Sequence, residues 1–308
     1  MPILHLDSGR EMRGGQWQAL RLIEGLAAAG VDQTLLARAG APLFQAALKA
    51  ARNGGWRVEP LGMARAAMLA GRHDLIHAHD ARGHTIGVIG AIAGRRPLVV
   101  SRRVAFPIRC RWKYKARARF IAISEFVKSV LMAGGVAAGK IAVVYDGVPP
   151  LDAARGTDIV SPAQKSGAIA LEAAQLAGVT LKLSSNLQDD LAHAALCVYV
   201  TESEGLGSGV LMAMSAGVPV IASRVGGLPE VIQHGENGML VANTPESVAA
   251  AIRELTQNGD LARRMGAAAR RTVLEKFTVD HMVRRTLEVY SQVLNVGQAS
   301  RAVFPERQ

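Results

Sequence analysis

Residues Glu202–Val220 read ESEGLGSGVLMAMSAGVPV. The stretch follows an apolar run, Leu196–Val200 (LCVYV), and leads into another, VPVIAS from Val218. Apolar run, glycine-rich turn and apolar helical pattern, in that order, spell strand, turn, helix and strand. Gly205, Gly207 and Gly209 permit close backbone approach. A helix opening at Gly209 offers free N–H groups and a positive dipole end, an anion site suited to a diphosphate. Such turns are also common as plain structure, so the glycines alone leave both readings open.

Outward from this stretch the same alternation recurs. Strands are predicted at Pro2–Leu6, Val31–Ala37, Asp74–Ala78, Pro97–Ser101, Phe120–Ile123 and Ile141–Tyr145, with helices at Gln16–Ala29 and Glu125–Met132. The run Gly147-Val-Pro-Pro-Leu-Asp reads as a linker. Beyond it, strands are predicted at Ile159, Val179–Leu183, Leu196–Val200 and Val218–Ala222. Helices follow at Lys165–Ala177, Gly209–Ala216, Pro245–Gln257, Leu261–Lys276 and Val279–Leu294. Strands alternating with helices imply βαβ units and parallel sheets. A length of 308 residues fits two such domains. No apolar run reaches the ~20 residues of a membrane span, and the opening MPILHLDSGR reads as a buried strand, not a secretion signal. The two cysteines, Cys110 and Cys197, fit no metal spacing and read as reduced thiols. A cytoplasmic protein is expected.

The wording Glu202–Val220, continued at Ser223–Val241 by SRVGGLPEVIQHGENGMLV, resembles the donor-binding signature of retaining GT-B glycosyltransferases. More narrowly, it is similar to the large bacterial lipopolysaccharide and capsule family (glycosyltransferase family 4-like). The resemblance covers nearly the whole chain. It implies an α/β protein of the GT-B class, with two Rossmann-like doubly wound parallel-sheet domains facing a cleft. Residues 1–148 would form the acceptor-side domain and 149–278 the nucleotide-sugar domain. Residues 279–308 would form a helix crossing back to the first domain, then a tail.

The resemblance also assigns residues. Glu204 matches the first of two glutamates eight positions apart and would lie beside the donor sugar. The second would fall at Met212, which cannot accept the hydrogen bonds of a ribose. Gly205, Leu206, Gly207, Ser208 and Gly209 would line the donor. Lys165 matches a phosphate-binding lysine, in SPAQKSGAIALEAA. An arginine usual six residues earlier is replaced by Ile159, and the second domain is shorter than is usual. In the first half, Gly14 and Gly15 of DSGREMRGGQWQAL match a glycine loop after strand one, where an ordinary turn is the alternative. His79, in HAHD, matches a histidine that reaches the donor sugar. A packed histidine, or a metal held by His77, His79 and His84, are the competing readings; the fold class implies no metal and no cofactor beyond the nucleotide-sugar substrate.

The formal charge is +11. Eleven cations and no carboxylate lie between Ala81 and Ser124, and they account for the whole excess. Within this stretch, SRRVAFPIRCRWKYKARARF interleaves Arg102, Arg103, Arg109, Arg111, Lys113 and Lys115 with Phe106, Trp112 and Tyr114. Such a surface suits a glycan or lipid-linked acceptor carrying phosphate, or the anionic inner face of a membrane. A solvated basic face is the plain alternative. No nucleic-acid motif accompanies it. The expected activity is sugar transfer in cell-envelope polysaccharide or lipopolysaccharide synthesis. The alternatives are a non-catalytic GT-B subunit or degraded paralogue, a sugar-nucleotide epimerase, and a basic nucleic-acid-binding module.

Overall fold

The computed structural model describes residues 1–165 and 167–294. These fall into two compact units. Unit 1 is Met1–Tyr145 with the chain from Val279, and unit 2 is Asp146–Thr278.

Unit 1 holds seven strands: β1 (Ile3–Asp7), β2 (Gln33–Ala37), β3 (Arg57–Pro60), β4 (Leu75–Ala78), β5 (Leu98–Arg102), β6 (Ala118–Ala122) and β7 (Ile141–Val143). Its helices are α1 (Gly14–Ala28), α2 (Pro42–Gly54), α3 (Met63–Ala70), α4 (Ala81–Gly94) and α5 (Glu125–Ala133). The strands pair in parallel in the order β3-β2-β1-β4-β5-β6-β7. Most are short apolar runs, and β1, β2 and β4 are buried at every residue, as a parallel sheet covered on both faces requires. The order reverses between β1 and β4. The carboxyl ends of those two strands are therefore where such a sheet builds its ligand crevice.

Unit 2 holds α6 (Gly167–Ala177), α7 (Leu187–Asp190), α8 (Ser208–Ser215), α9 (Leu228–Val231), α10 (Pro245–Gln257) and α11 (Gly259–Lys276). Its strands are β8 (Asp158–Pro162), β9 (Leu181–Ser184), β10 (Ala194–Tyr199), β11 (Val220–Ser223) and β12 (Met239–Val241), in the parallel order β12-β11-β10-β8-β9. Here the reversal falls between β8 and β10.

The last helix, α12 (Val279–Leu294), belongs to unit 1. Its Met282, Val283, Leu287 and Tyr290 share a core with Ile3, Leu22, Leu26 and Leu75. Gly25 permits the approach, because a β-carbon there would meet Val283 Cγ2 at 2.6 Å. Among the described residues no helix is long and apolar enough to cross a membrane. Cys110 and Cys197 are both free thiols.

Several boundaries shift from the sequence expectation. The α1 helix begins at Gly14, so Gly14 and Gly15 form its first turn and are not a loop ahead of it. The α6 helix begins at Gly167 and leaves Lys165 outside it. The elements α2, β3, α3 and α4 come in addition to the predicted ones. The tail after Leu294 lies outside the described residues.

Candidate functional site

The switch point of unit 2 brings Lys165 and Glu204 together. Lys165 lies just beyond β8, and Glu204 follows β10. The Lys165 ammonium is 3.0 Å from Glu204 Oε2. The same oxygen accepts from the Tyr199 hydroxyl at 2.6 Å, and Oε1 accepts from the Gly205 N–H at 3.0 Å. Burial pushes the Tyr199 phenol well above its ordinary range, with the Glu204 carboxylate adding to the shift. Tyr199 therefore stays protonated and donates. The carboxylate is thus held at three points beside the start of α8.

That start is shaped by glycines. Gly207 caps α8 at φ +98°, without a side-chain cap, and no acid occupies the first turn. The first intrahelical acceptor is Gly207 O, bonded by Leu211 N–H. The earlier N–H groups of the turn lack an intrahelical partner and point out of its end. A second glycine pair braces the turn from behind. A β-carbon on Gly226 would lie 1.9 Å from Glu204 O, and one on Gly227 would lie 2.1 Å from Gly205 O.

In unit 1 the switch point joins His79, just after β4, to α1. The His79 ring stacks on His5, and its Nε2 lies 2.9 Å from His5 Nδ1. Its Nδ1 lies 3.2 Å from a guanidinium nitrogen of Arg103. His5 Nε2 is 3.0 Å from Gln33 Oε1. Arginine can only donate, and that fixes every proton in the chain. Arg103 donates to His79, His79 Nε2–H donates to His5, and His5 Nε2–H donates to the Gln33 carbonyl. Gln33 in turn donates to Ile23 O. Arg103 also runs beside the first turn of α1, with its Cδ 3.8 Å from the place of a Gly15 β-carbon. That turn has no acidic residue and no side-chain cap.

His77 takes a separate set of partners, Tyr290 Oη at 2.6 Å and Ser101 Oγ at 2.8 Å. Nitrogens of His5, His77 and His79 lie within 4.8 Å of one another, a spacing that could hold a metal ion. All six ring nitrogens already have protein partners, and the Arg103 cation adjoins them, so a metal would have to displace that network. His84 is not part of the group and bonds to Lys113 O.

Two glycosyltransferase family descriptions match the chain in succession: "Glycosyltransferase Family 4" over residues 12–150 and "Glycosyl transferases group 1" over residues 167–272. The fold is GT-B. Anabaena HepE, solved with UDP and glucose, superposes with a TM-score of 0.81 at 18% identity, over 94% of this chain and 99% of that one. The sucrose-phosphate synthase of Thermosynechococcus elongatus does so with a TM-score of 0.73 at 19% identity, over 96% and 100%. In sequence, N-acetyl-alpha-D-glucosaminyl L-malate synthase of Bacillus anthracis is 40% identical over 111 residues, 35% of this chain and 29% of that protein. The first curated relatives it matches are each covered over less than a third of their length.

Several residues of the GT-B signature sit otherwise than the resemblance implies. Leu206 is fully buried, so only its backbone is available to a ligand. Lys113 leaves the basic surface: it is buried, with its ammonium donating to Ala81 O at 2.6 Å, and burial lowers its pKa. Arg102 bonds to Tyr114 Oη and Phe106 O. Arg109, Arg111 and Lys115 stay exposed, with Phe106 62% and Trp112 52% exposed nearby. Both ring nitrogens of His79 are engaged, which leaves none for a sugar hydroxyl in this arrangement. Asp80 of HAHD caps α4 by accepting from the Gly83 N–H. Met212 is half-buried in α8, and Ile159 is buried in β8.

The histidine cluster has a pH consequence. Burial holds His77 and His79 well below the ordinary histidine range, lowers His5 to about 3 and lowers His84 to about 4. The unfolded chain protonates these groups near 6.5, and the native fold does not. Their stability is complete above that pH and is lost as pH falls through the window. Asp7, raised to about 6 first by burial and then by the Asp80 carboxylate, acts oppositely below pH 6 and offsets one histidine. The melting temperature should therefore fall on acidification from pH 7 to 5. The slope approaches about 1.4 kcal/mol per pH unit for each uncompensated histidine. Thermal melts of the wild type and His5→Asn check this; the variant should show the shallower profile, and a flat wild-type profile contradicts the assignment.

Proposed function

We propose that this chain is a retaining glycosyltransferase that moves a sugar from a nucleotide-diphosphate donor to a glycan or lipid-linked acceptor in cell-envelope polysaccharide or lipopolysaccharide synthesis. The observation that carries the reading is the Lys165–Glu204 pair at the open amino end of α8. The lysine and the free N–H groups of the turn suit a diphosphate leaving group, whose developing charge they stabilise electrostatically. Glu204, braced by Tyr199 and Gly205, positions the sugar. The first turn of α1, with Gly14, Gly15 and Arg103, offers a second place for an anionic substrate group. No metal or cofactor enters this scheme. The UDP in the Anabaena relative supports a nucleotide-sugar partner. Arg109, Arg111 and Lys115, beside Phe106 and Trp112, suit a phosphorylated acceptor or the inner face of an anionic membrane, with the enzyme working from the cytoplasm.

Met212 and Ile159, standing where the family has a carboxylate and an arginine, favour one second reading: a non-catalytic GT-B subunit. A thermal-shift screen with UDP, GDP, ADP and their sugars separates the two. A ligand that binds only the folded chain raises the melting temperature, by about 2.7 kcal/mol of stability at a hundredfold excess over Kd. The transferase reading expects a shift with one nucleotide. Silence with all of them at millimolar concentration overturns it in favour of the subunit.

A further inference from the structure

At the amino ends of β5 and β6, unit 1 has a cavity of about 840 Å³. It lies at the opposite end of β5 from Arg103, roughly 17 Å along the strand. Arg95, Arg96, Arg117, Arg119 and Lys140 line one part of it. No acidic residue is among the lining residues. The Nε atoms of Arg96 and Arg119 are buried and have no hydrogen-bond partner among the described residues. Other nitrogens of the same two groups are tied to Gly71 O and Gly139 O, so both guanidinium groups are held in place. Arg95 adopts φ +52°, the one positive value for a non-glycine among the described residues. An arginine holds such a backbone at a cost of about 1 kcal/mol.

The rest of the lining is apolar; Ile92, Val293 and Leu294 are accessible in it, whereas Val88 and Leu98 are buried. Ile92 is 74% exposed. Five like charges around an apolar floor repel one another and leave hydrocarbon in water. One kind of occupant answers both problems, with an anionic head for the cations and an acyl chain for the floor. The volume falls within the ~300–1,000 Å³ of small-molecule sites. The residues after Leu294 carry Arg301 and Arg307 against Glu306, and so bring no negative excess of their own.

We propose that this cavity binds one acidic phospholipid, with its phosphate on the arginines and its chain along Ile92, Val293 and Leu294. The site is separate from the exposed Arg109, Arg111 and Lys115, and it does not rest on the transferase reading. It ties unit 1 to a lipid leaflet without occupying the switch-point site.

The test is calorimetric titration of the full chain with dihexanoyl-phosphatidylglycerol below its micelle concentration. Dihexanoyl-phosphatidylcholine and inorganic phosphate serve as comparisons. Phosphatidylglycerol should bind at least about tenfold more tightly than either, a gap of ~1.4 kcal/mol. Ile92→Glu and the double variant R117E/K140E, all on exposed side chains, should each lose that binding by about tenfold or more with unchanged melting temperatures. The control R109Q/R111Q should keep it. The proposal is overturned by absent binding, by equal affinity for phosphate alone, by insensitivity to Ile92→Glu, or by loss in the control, which would assign the lipid to the other basic surface.

Discussion

Gly226→Ala should lower the melting temperature of unit 2 by roughly 10 °C, the scale of ~3 kcal/mol in a domain of this size. The new β-carbon would lie 1.9 Å from Glu204 O, and the backbone at φ +58° already disfavours any side chain. The obstacle is main chain, so no rotamer change relieves it. Gly235→Ala is the internal control. Its φ is +84°, yet nothing lies within 4 Å of the added carbon, so only the conformational cost of about 1 kcal/mol applies. Calorimetry on both variants decides: equal losses would mean that the contact with the Glu204 turn is not what holds this glycine.

The second large effect is a pair of opposite signs in nucleotide binding. In the free protein the Lys165 charge is spent on Glu204. Lys165→Met should weaken binding of the cognate nucleoside diphosphate by about tenfold or more, the worth of one charge-assisted hydrogen bond. Glu204→Gln should not weaken it. The glutamine carbonyl can still accept from Tyr199, while Lys165 is released for the phosphates, so affinity holds or rises even as sugar transfer collapses. Titration of both variants with the nucleotide found in the screen reads this directly. A loss of affinity in Glu204→Gln equal to that in Lys165→Met would show that the two side chains act only as a structural pair.

The fold was legible where side-chain pattern and layer agree. Leu196–Val200 and Val218–Ala222 are apolar because β10 and β11 are covered on both faces, and the helix between them has no other place to go. The stretch from Pro42 to Ala70 was only partly legible. Its β3 strand is a half-exposed edge of four residues and α3 spans only eight; α2, by contrast, is amphipathic, and its apolar stripe was there to be read. The Lys165–Glu204 pairing joins two switch-point ends that the sequence had marked separately. The chain from Arg103 through His79 and His5 to Gln33 was invisible for another reason. It depends on the lateral register that sets His5 opposite His77, across 72 positions of sequence. Equal strand parity of His5 in ILHLD and of His77 and His79 in LIHAHD was the signal available. Gly226 and Gly227 stood in plain view within the quoted signature, but their purpose lies in a contact with a turn 22 residues earlier.

The discontinuity of unit 1 bears on how the chain is made. Tyr145 leaves the ribosome long before Tyr290, and at ~5–20 residues per second the interval is roughly 7–30 s. Throughout it, Ile3, Leu22 and Leu26 lack the α12 side chains that cover them, and His77 lacks its phenol. The nascent amino-terminal segment must therefore wait as an incomplete sheet with an oily flank, while the whole of unit 2 is translated and free to fold first. Chaperone capture of ribosome-bound chains stalled between these two tyrosines should be strongest against that flank, and should end once α12 has emerged.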